Sequence, residues 1–272
     1  MSLFPERFHR SWLVFSYFGA CGTVLCFQGR QSLWILYFMR KRAVRTYAEG
    51  LLFRFSRVLI PSLPRNAVVA FSCWLGAIGY RLAGRDRRIA QVNLGLAFPG
   101  ASDEWIEETG RRSFQAFALV LCDLLWFSRS SGRRIQRFVE FDDSMAAYLE
   151  SGPVVAVTAH LGNWEALGLA VALRGAPCVS VAASMDNVFV NRQLNYLRAS
   201  TGQKILPKEG AVKGLLKALK DGERVAMLID QNTPPGKGGI FVDLFGVPVP
   251  ITKAPATLAC RAGVPVMPVF CV

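Results

Sequence analysis

The sequence predicts an α/β fold, with a mostly parallel central sheet flanked by helices and an apolar N-terminal segment before it. From about residue 85 onward, short runs rich in Val, Ile and Leu alternate with amphipathic segments of helical length. A single helix between consecutive strands favours parallel pairing, because such a crossover returns the chain to the same end of the sheet. The first hundred residues are both apolar and basic, which predicts a helical, membrane-anchoring segment.

Composition excludes several classes of protein. Of the 272 residues, 52% are hydrophobic and 19% are charged, so the chain is too apolar to be disordered and too poor in charge for a long coiled coil. The net charge is +13, and residues 1–100 hold fourteen Lys or Arg against three Asp or Glu. Basic residues within apolar helices suit an anionic membrane surface. A nucleic-acid partner would require them on a polar face, so none is expected.

Residues 1–46 are predicted to anchor the chain in a membrane. Ser11–Phe27 contains no charged residue and is at the short limit for a spanning helix. The basic cluster Arg40–Arg45 follows, so the positive-inside rule places the rest of the chain in the cytoplasm. A secretory signal peptide and a helix lying on the membrane are the alternatives. Leu51–Leu82, which arginines and prolines interrupt, predicts either interfacial helices or helices that cover a sheet.

The later elements follow from local periodicity and from residues that begin helices. Ser102 or Asp103 is expected to cap the helix Ser102–Phe127, and Glu104 in the first turn complements the helix dipole. The expected helices are Arg85–Leu96, Ser102–Phe127, Trp164–Leu173, Asn187–Thr201, Ala211–Lys220 and Thr252–Ala262. The expected strands are Val154–Thr158, Cys178–Ala182, Lys204–Leu206, Val225–Ile229 and Val264–Val269.

Polar residues that follow a buried strand are candidates for chemistry, because sites gather at the carboxyl ends of parallel strands. His160 follows the first strand, and Glu165 lies in the first turn of the next helix. From there the carboxylate can fold back, orient the imidazole and make it a general base. The helix N-terminus at Asn163 offers donors for developing negative charge. The alternative is a structural turn in which Asn163 caps the helix and His160 only packs.

Two further groups of residues have both a functional and a structural interpretation. Asp230 and Gln231 close a later apolar strand, where an acid marks either a site or a turn. A lysine-rich helix face suits an acidic carrier protein or anionic headgroups, or is simply solvated; it contains Lys213, Lys217 and Lys220. The seven cysteines include no CxxC pattern and there are only two histidines, so no metal site is expected. The cysteines are interpreted as buried, reduced thiols.

Four blocks of sequence occur in the order typical of one enzyme family. They are HLGNWE at residues 160–165, VNLGLAFP at 92–99, DQ at 230–231 and VDLFG at 242–246. Over about Tyr47–Val272 the chain resembles the bacterial lipid A biosynthesis lauroyl/myristoyl acyltransferases, within the HxxxxE/D lysophospholipid acyltransferase superfamily. The resemblance implies a glycerol-3-phosphate-acyltransferase-like domain over residues 47–272, one that continues in the family beyond this C-terminus.

The resemblance also implies a reaction. A fatty acyl chain would pass from an acyl-carrier-protein thioester to a hydroxyl of a lipid A precursor or another glycolipid, at the cytoplasmic face of the bacterial inner membrane. His160 would be the general base and Glu165 its orienting partner, and no cofactor is expected. The family's substrate-contacting arginine corresponds best to Arg198, with Arg192 as a second candidate, and Asp230 with Gln231 would lie in the active site.

Two other functions remain open from the sequence. A lipid or thioester hydrolase would use the same His160–Glu165 pair on water in place of an acceptor hydroxyl. A non-enzymatic basic protein of the membrane surface would account for the charge and apolarity, although it would leave the histidine and its carboxylate without a role.

Overall fold

The computed structural model describes residues 31–183 and 185–272, with side chains from residue 44 onward. The chain divides into two units, Met1–Arg45 and Thr46–Val272. In the first unit the described residues are helical. The predicted anchor over Ser11–Phe27 lies outside the described residues. All the contacts discussed below are within the second unit.

Ten helices and seven strands occur in the described residues. The helices are α1 Gln31–Leu59, α2 Arg65–Leu82, α3 Gly84–Ala97, α4 Asp103–Trp126, α5 Ser131–Phe138, α6 Met145–Glu150, α7 Trp164–Leu173, α8 Val188–Ala199, α9 Ala211–Lys220 and α10 Ala254–Ala262. The strands are β1 Val155–Thr158, β2 Cys178–Ala182, β3 Lys204–Pro207, β4 Arg224–Leu228, β5 Gly239–Leu244, β6 Val247–Thr252 and β7 Val266–Pro268.

Five strands form a parallel sheet in the order β3-β2-β4-β1-β7, which confirms the predicted mostly parallel sheet. Strand β1 lies inside the sheet and pairs with both β4 and β7, so that Val155 lies between Val225 and Val266. Helices α7 and α9 and strand β2 have the bounds predicted from the sequence. The other predicted elements are present with ends that differ by one or two residues.

An antiparallel hairpin of β5 and β6 was not predicted. Its two-residue turn is Phe245-Gly246, and both residues have positive φ, as a type I′ turn requires. Phenylalanine is unusual in that conformation, and Pro248 and Pro250 interrupt the apolar pattern of β6. A prediction that looks for alternating apolar and polar residues around an Asn-Gly turn therefore does not find this hairpin.

The core fills both faces of the parallel sheet. On one face, Val155 and Val225 pack with Leu215 of α9 and Leu258 of α10, and all four are almost completely buried. On the other face, Ala156 packs with residues of α6 and α7. A third apolar cluster joins α4 to α7 and includes Leu124–Phe127. Consequently β1 is held from both faces of the sheet, and α7 is held between the sheet and α4.

Helix α2 packs on α4 and leaves its opposite face exposed. Gly76 is buried against the backbone of Gln115, where a Cβ atom would not fit. The outer face carries the exposed side chains of Phe71, Trp74 and Leu75. Of the two predicted arrangements of Leu51–Leu82, the sheet-covering one differs from the structure, because α2 covers another helix, α4. The outer apolar surface is compatible with the interfacial arrangement. Among the described helices none alone has the length and apolarity to cross a bilayer, whereas α2 and α3 together do, with a 94° bend between them.

Candidate active site

His160 and Asp230 meet at the carboxyl end of the sheet. Thr158 of β1 pairs with Leu228 of β4, where both strands end, and each of the two polar residues comes two positions after that end. One Asp230 oxygen is 2.9 Å from the ring Nδ1 of His160, and the other accepts the backbone N–H of His160 at 2.9 Å. An ionised carboxylate only accepts, so this hydrogen bond assigns the proton to Nδ1 and leaves the Nε2 lone pair available.

Glu165 does not occupy the position predicted for it. Its carboxylate forms a bidentate pair with Arg198 of α8, with Nε–Oε2 and Nη2–Oε1 distances of 3.0 and 2.5 Å. The expected contact with the imidazole is made by Asp230 instead. The physical reason is the direction of the Glu165 side chain. Glu165 already belongs to α7 and its carboxylate faces α8, whereas His160 lies in the preceding turn beside the end of β4.

The two predicted substrate-contacting arginines differ in their surroundings. Arg198 is mostly buried by its pair with Glu165, and Asn195 accepts a further hydrogen bond from it at 3.4 Å. Arg192 also belongs to α8, but it is exposed and no hydrogen bond or ion pair joins it to another described residue. Gln231 is exposed, and its carbonyl accepts from the hydroxyl of Thr233 at 3.3 Å.

Asn163 fixes the turn between β1 and α7. Its side-chain oxygen accepts the N–H of Ala166 at 2.9 Å, which caps α7 as one of the two interpretations of the sequence expected. Its backbone N–H donates to the carbonyl of Cys271 at 2.8 Å. The preceding Gly162 has a φ of +61° and approaches the same carbonyl so closely that any Cβ would overlap it. A side chain is therefore excluded at residue 162.

Asp123 of α4 completes this arrangement and is not among the residues predicted from the sequence. It accepts the side-chain N–H of Asn163 at 2.8 Å and forms an ion pair with both guanidinium nitrogens of Arg65. Only 3% of its side chain is exposed. Burial raises the pKa of Asp123, while the Arg65 guanidinium and the Asn163 amide oppose that rise. The signal in the sequence is a carboxylate within an apolar helical run, which is costly unless paired.

Apolar side chains lie next to the imidazole. The ring of Trp164 meets the ring of His160 edge-on at 4.7 Å, and Phe117 of α4 lies 6.0 Å from Trp164. Phe117 and Leu121 on the same helix are about half exposed. An oriented imidazole beside exposed apolar side chains is suited to proton transfer at a lipid-like substrate.

The lysine-rich helix face is partly neutralised within the chain. Lys217 pairs with Asp221 at 2.5 Å, whereas Lys213 and Lys220 are exposed. The glycine-rich segment after Asp230 forms a short 3-10 helix, Pro235–Lys237, that leads into the hairpin. Among the described residues, no three His, Cys, Asp or Glu side chains are grouped so that they would hold a metal ion.

Comparison with known proteins agrees with the four sequence blocks. The model of the bacterial lipid A biosynthesis acyltransferase family matches residues 38–272. A phosphatidylinositol mannoside acyltransferase of Mycobacterium tuberculosis is 26% identical over 170 residues, which cover 61% of this chain and 52% of that protein. A lipid A biosynthesis acyltransferase of Haemophilus influenzae is 22% identical over 201 residues, which cover 72% of this chain and 62% of that protein. The matched region thus spans between about half and two thirds of these relatives.

Proposed function

Because this chain belongs to the bacterial lipid A biosynthesis acyltransferase family, we propose that it transfers a fatty acyl chain from an acyl-carrier-protein thioester to a hydroxyl of a glycolipid. The acceptor is a lipid A precursor or a related glycolipid. One observation carries the proposal: the two oxygens of the Asp230 carboxylate contact the ring Nδ1 and the backbone N–H of His160, so that one side chain fixes both. The Nε2 atom of this imidazole then has the orientation and the free lone pair that a general base needs.

In the proposed reaction His160 takes the proton of the acceptor hydroxyl. The oxygen attacks the thioester carbonyl carbon, so that a C–O bond forms and the C–S bond breaks. The imidazolium returns its proton to the leaving thiolate. Asp230 stabilises the imidazolium while it exists, and such a positioned base contributes roughly 10²–10⁴-fold to the rate.

The pair of Glu165 and Arg198 is assigned a supporting role in this site. Both side chains are mostly buried, and the pair joins the start of α7 to the last turn of α8. Arg192 is the arginine of α8 whose guanidinium has no acidic partner among the described residues. We assign the contact with acceptor phosphates to Arg192 first, because a phosphate would otherwise compete with Glu165 for Arg198.

The membrane is proposed as the place where donor and acceptor meet. No residue of α3 is buried, and Ile89, Val92 and Leu96 lie within one helix face together with Arg85 and Arg88. Apolar side chains with arginines at their margin are the pattern of a helix in the interface of an anionic bilayer. The exposed face of α2 has the same character. These two surfaces support a location at an anionic membrane surface, which we propose to be the cytoplasmic face of the bacterial inner membrane.

Acyl carrier protein is proposed as the donor partner on the basis of charge. Lys213 and Lys220 of α9 are exposed, and Lys208 precedes the same helix. An acidic carrier would be attracted to this face, and the attraction would weaken as ionic strength rises.

The deciding experiment is an acyl-transfer assay on the full chain extracted from membranes. It supplies acyl-carrier-protein donors of several chain lengths with a partly acylated lipid A precursor or a mannosylated inositol lipid. Wild type is expected to acylate one acceptor, and His160→Ala is expected to lose transfer while keeping its thermal unfolding midpoint. Free fatty acid without acylated acceptor would identify the chain as a hydrolase. Transfer that persists in His160→Ala would refute the assignment of the base.

A further inference from the structure

A mostly buried ion pair between Asp123 and Arg65 contacts the active-site turn through Asn163. The carboxylate of Asp123 in α4 accepts hydrogen bonds from two guanidinium nitrogens of Arg65 and from the side-chain amide of Asn163. Arg65 is the first residue of α2, and its guanidinium lies over the rings of Trp126 and Phe127 at 5.2 and 5.9 Å. The aromatic rings and the carboxylate together hold this arginine in one orientation.

The contacts continue from this pair to His160. Asn163 uses its amide oxygen to cap α7 and its amide nitrogen to contact Asp123, so both ends of the amide are engaged. If Asp123 did not accept from it, the amide would be free to rotate, and the cap would loosen. The turn that carries His160 would then have lost one of its supports, and the distance from Nδ1 to Asp230 depends on that turn.

We propose that Asp123 and Arg65 are positioning residues, which hold the His160 turn in its reactive geometry through the side chain of Asn163. The inference rests on the proposed function. A positioning role would explain why the chain has an ion pair at this place, because a buried ion pair is seldom more stabilising than apolar residues of the same size. Catalytic geometry is more demanding than stability, since a displacement of about 1 Å can lower the rate by about 100-fold.

A double-mutant cycle tests the path through Asn163. Asn163→Ser keeps a capping oxygen but removes the donor to Asp123, and Asp123→Ala removes the acceptor. Each change is expected to lower kcat by about tenfold with little change in KM, and the double variant is expected to be no slower than the slower single one. Asp123→Asn, which keeps an acceptor oxygen, is expected to recover part of the rate. Independent losses that multiply to about 100-fold would overturn the proposal.

A core variant separates positioning from stability. Leu215 is fully buried on the opposite face of the sheet and has no contact with the turn, so Leu215→Ala lowers the unfolding midpoint without touching the path. At a temperature where every variant is folded, Leu215→Ala is expected to keep the wild-type kcat. If it loses as much kcat as Asp123→Ala does, the pair has only a structural role.

A spectroscopic measurement decides the proposal without any assay of transfer. The sequence has two histidines, His9 and His160, and His9→Gln leaves a single set of ring ¹⁵N signals. Wild type is expected to show the Nδ1–H tautomer at His160, and Asn163→Ser and Asp123→Ala are both expected to show less of it. An unchanged tautomer balance in both variants overturns the inference. Absence of transfer in wild type, with the tautomer shift present, would refute the proposed function and leave the positioning path supported.

Discussion

The carboxylate of Asp230 accepts hydrogen bonds from two atoms of one residue, the ring Nδ1 and the backbone N–H of His160, both at 2.9 Å. The two residues lie 70 positions apart and come together because β1 and β4 are neighbours in the sheet. One carboxylate thus sets the tautomer of the imidazole and the position of its backbone at the same time. The arrangement assigns the orienting role to Asp230, and the variants of Asp230 and Glu165 test that assignment.

Asp230→Asn is expected to lower kcat by about 10³-fold, because an amide can donate to Nδ1 and so favours the wrong tautomer. KM is expected to change little, since the contact is made to His160. The Asp230 side chain is one-third exposed, so the unfolding midpoint is expected to stay within a few degrees of wild type. Steady-state transfer kinetics and a thermal melt measure both quantities. Asp143→Asn, which changes an exposed carboxylate in the loop between α5 and α6, is the matched control and is expected to behave as wild type.

Glu165→Gln is expected to act mainly on stability. The Glu165–Arg198 pair is bidentate and mostly buried, so removal of one charge leaves the other without its partner, at a cost of roughly 3 kcal/mol. Denaturant unfolding measures the loss, and the double variant Glu165→Gln/Arg198→Met is expected to recover part of it. A Glu165→Gln variant with wild-type stability and a kcat as low as that of Asp230→Asn would return the orienting role to Glu165, as the sequence spacing had predicted.

The strands and the candidate residues after them could be predicted because both depend on residues that are close together in sequence. Apolar runs define β1 and β4, and His160 and Asp230 each come two positions after the end of one of these strands. Which carboxylate contacts the imidazole depends instead on the strand order, and that order is decided by packing across the whole sheet. Glu165 is five residues from His160 in sequence, yet Asp230 contacts the imidazole.

The contacts of Asp123 with Arg65 and with the His160 turn could not be predicted for the same reason. The two residues belong to different helices and neither is near His160 in sequence, so only the packing of α2 on α4 brings them together beside Asn163. The burial predicted for the cysteines was inferred from their apolar neighbours in sequence, and it is partly wrong. Cys122 and Cys178 are buried as expected, whereas Cys73 and Cys260 are exposed. An apolar neighbourhood in sequence does not distinguish a core helix face from an exposed apolar one.

Thiol reactivity is expected to separate the described cysteines into two groups. Burial raises the pKa of Cys122 and of Cys178 to about 11, and it also raises the pKa of Cys271. The thiolate is the reactive form, so at pH 8 only about one Cys178 in a thousand would be ionised, and the fraction would rise with pH. Mass spectrometry after brief maleimide treatment is expected to find Cys73 and Cys260 modified. The other three should react only after unfolding in urea, and modification of Cys178 in the native protein would contradict its burial.

The two exposed cysteines then provide a test of the membrane surface with a built-in control. Cys73 is exposed on α2 beside its outer apolar face, about 100° around the helix from Trp74, whereas Cys260 is exposed on α10, which packs on the sheet. Cys21 and Cys26 are outside the described residues and are replaced by Ser in both samples. A polarity-sensitive fluorophore is attached to Cys73 in a Cys260→Ser background and to Cys260 in a Cys73→Ser background.

Vesicles that contain phosphatidylglycerol are expected to shift the emission of the fluorophore at Cys73 to shorter wavelength and to leave that at Cys260 unchanged. The physical reason is that the apolar face of α2 enters the interface of the bilayer, while α10 stays in water. Arginines contribute to this binding through anionic headgroups, so vesicles of phosphatidylcholine alone are expected to give a smaller shift. The comparison does not depend on how the N-terminal segment binds, because both samples contain it. Equal shifts at the two positions, or a shift at Cys260 alone, would show that α2 does not face the membrane.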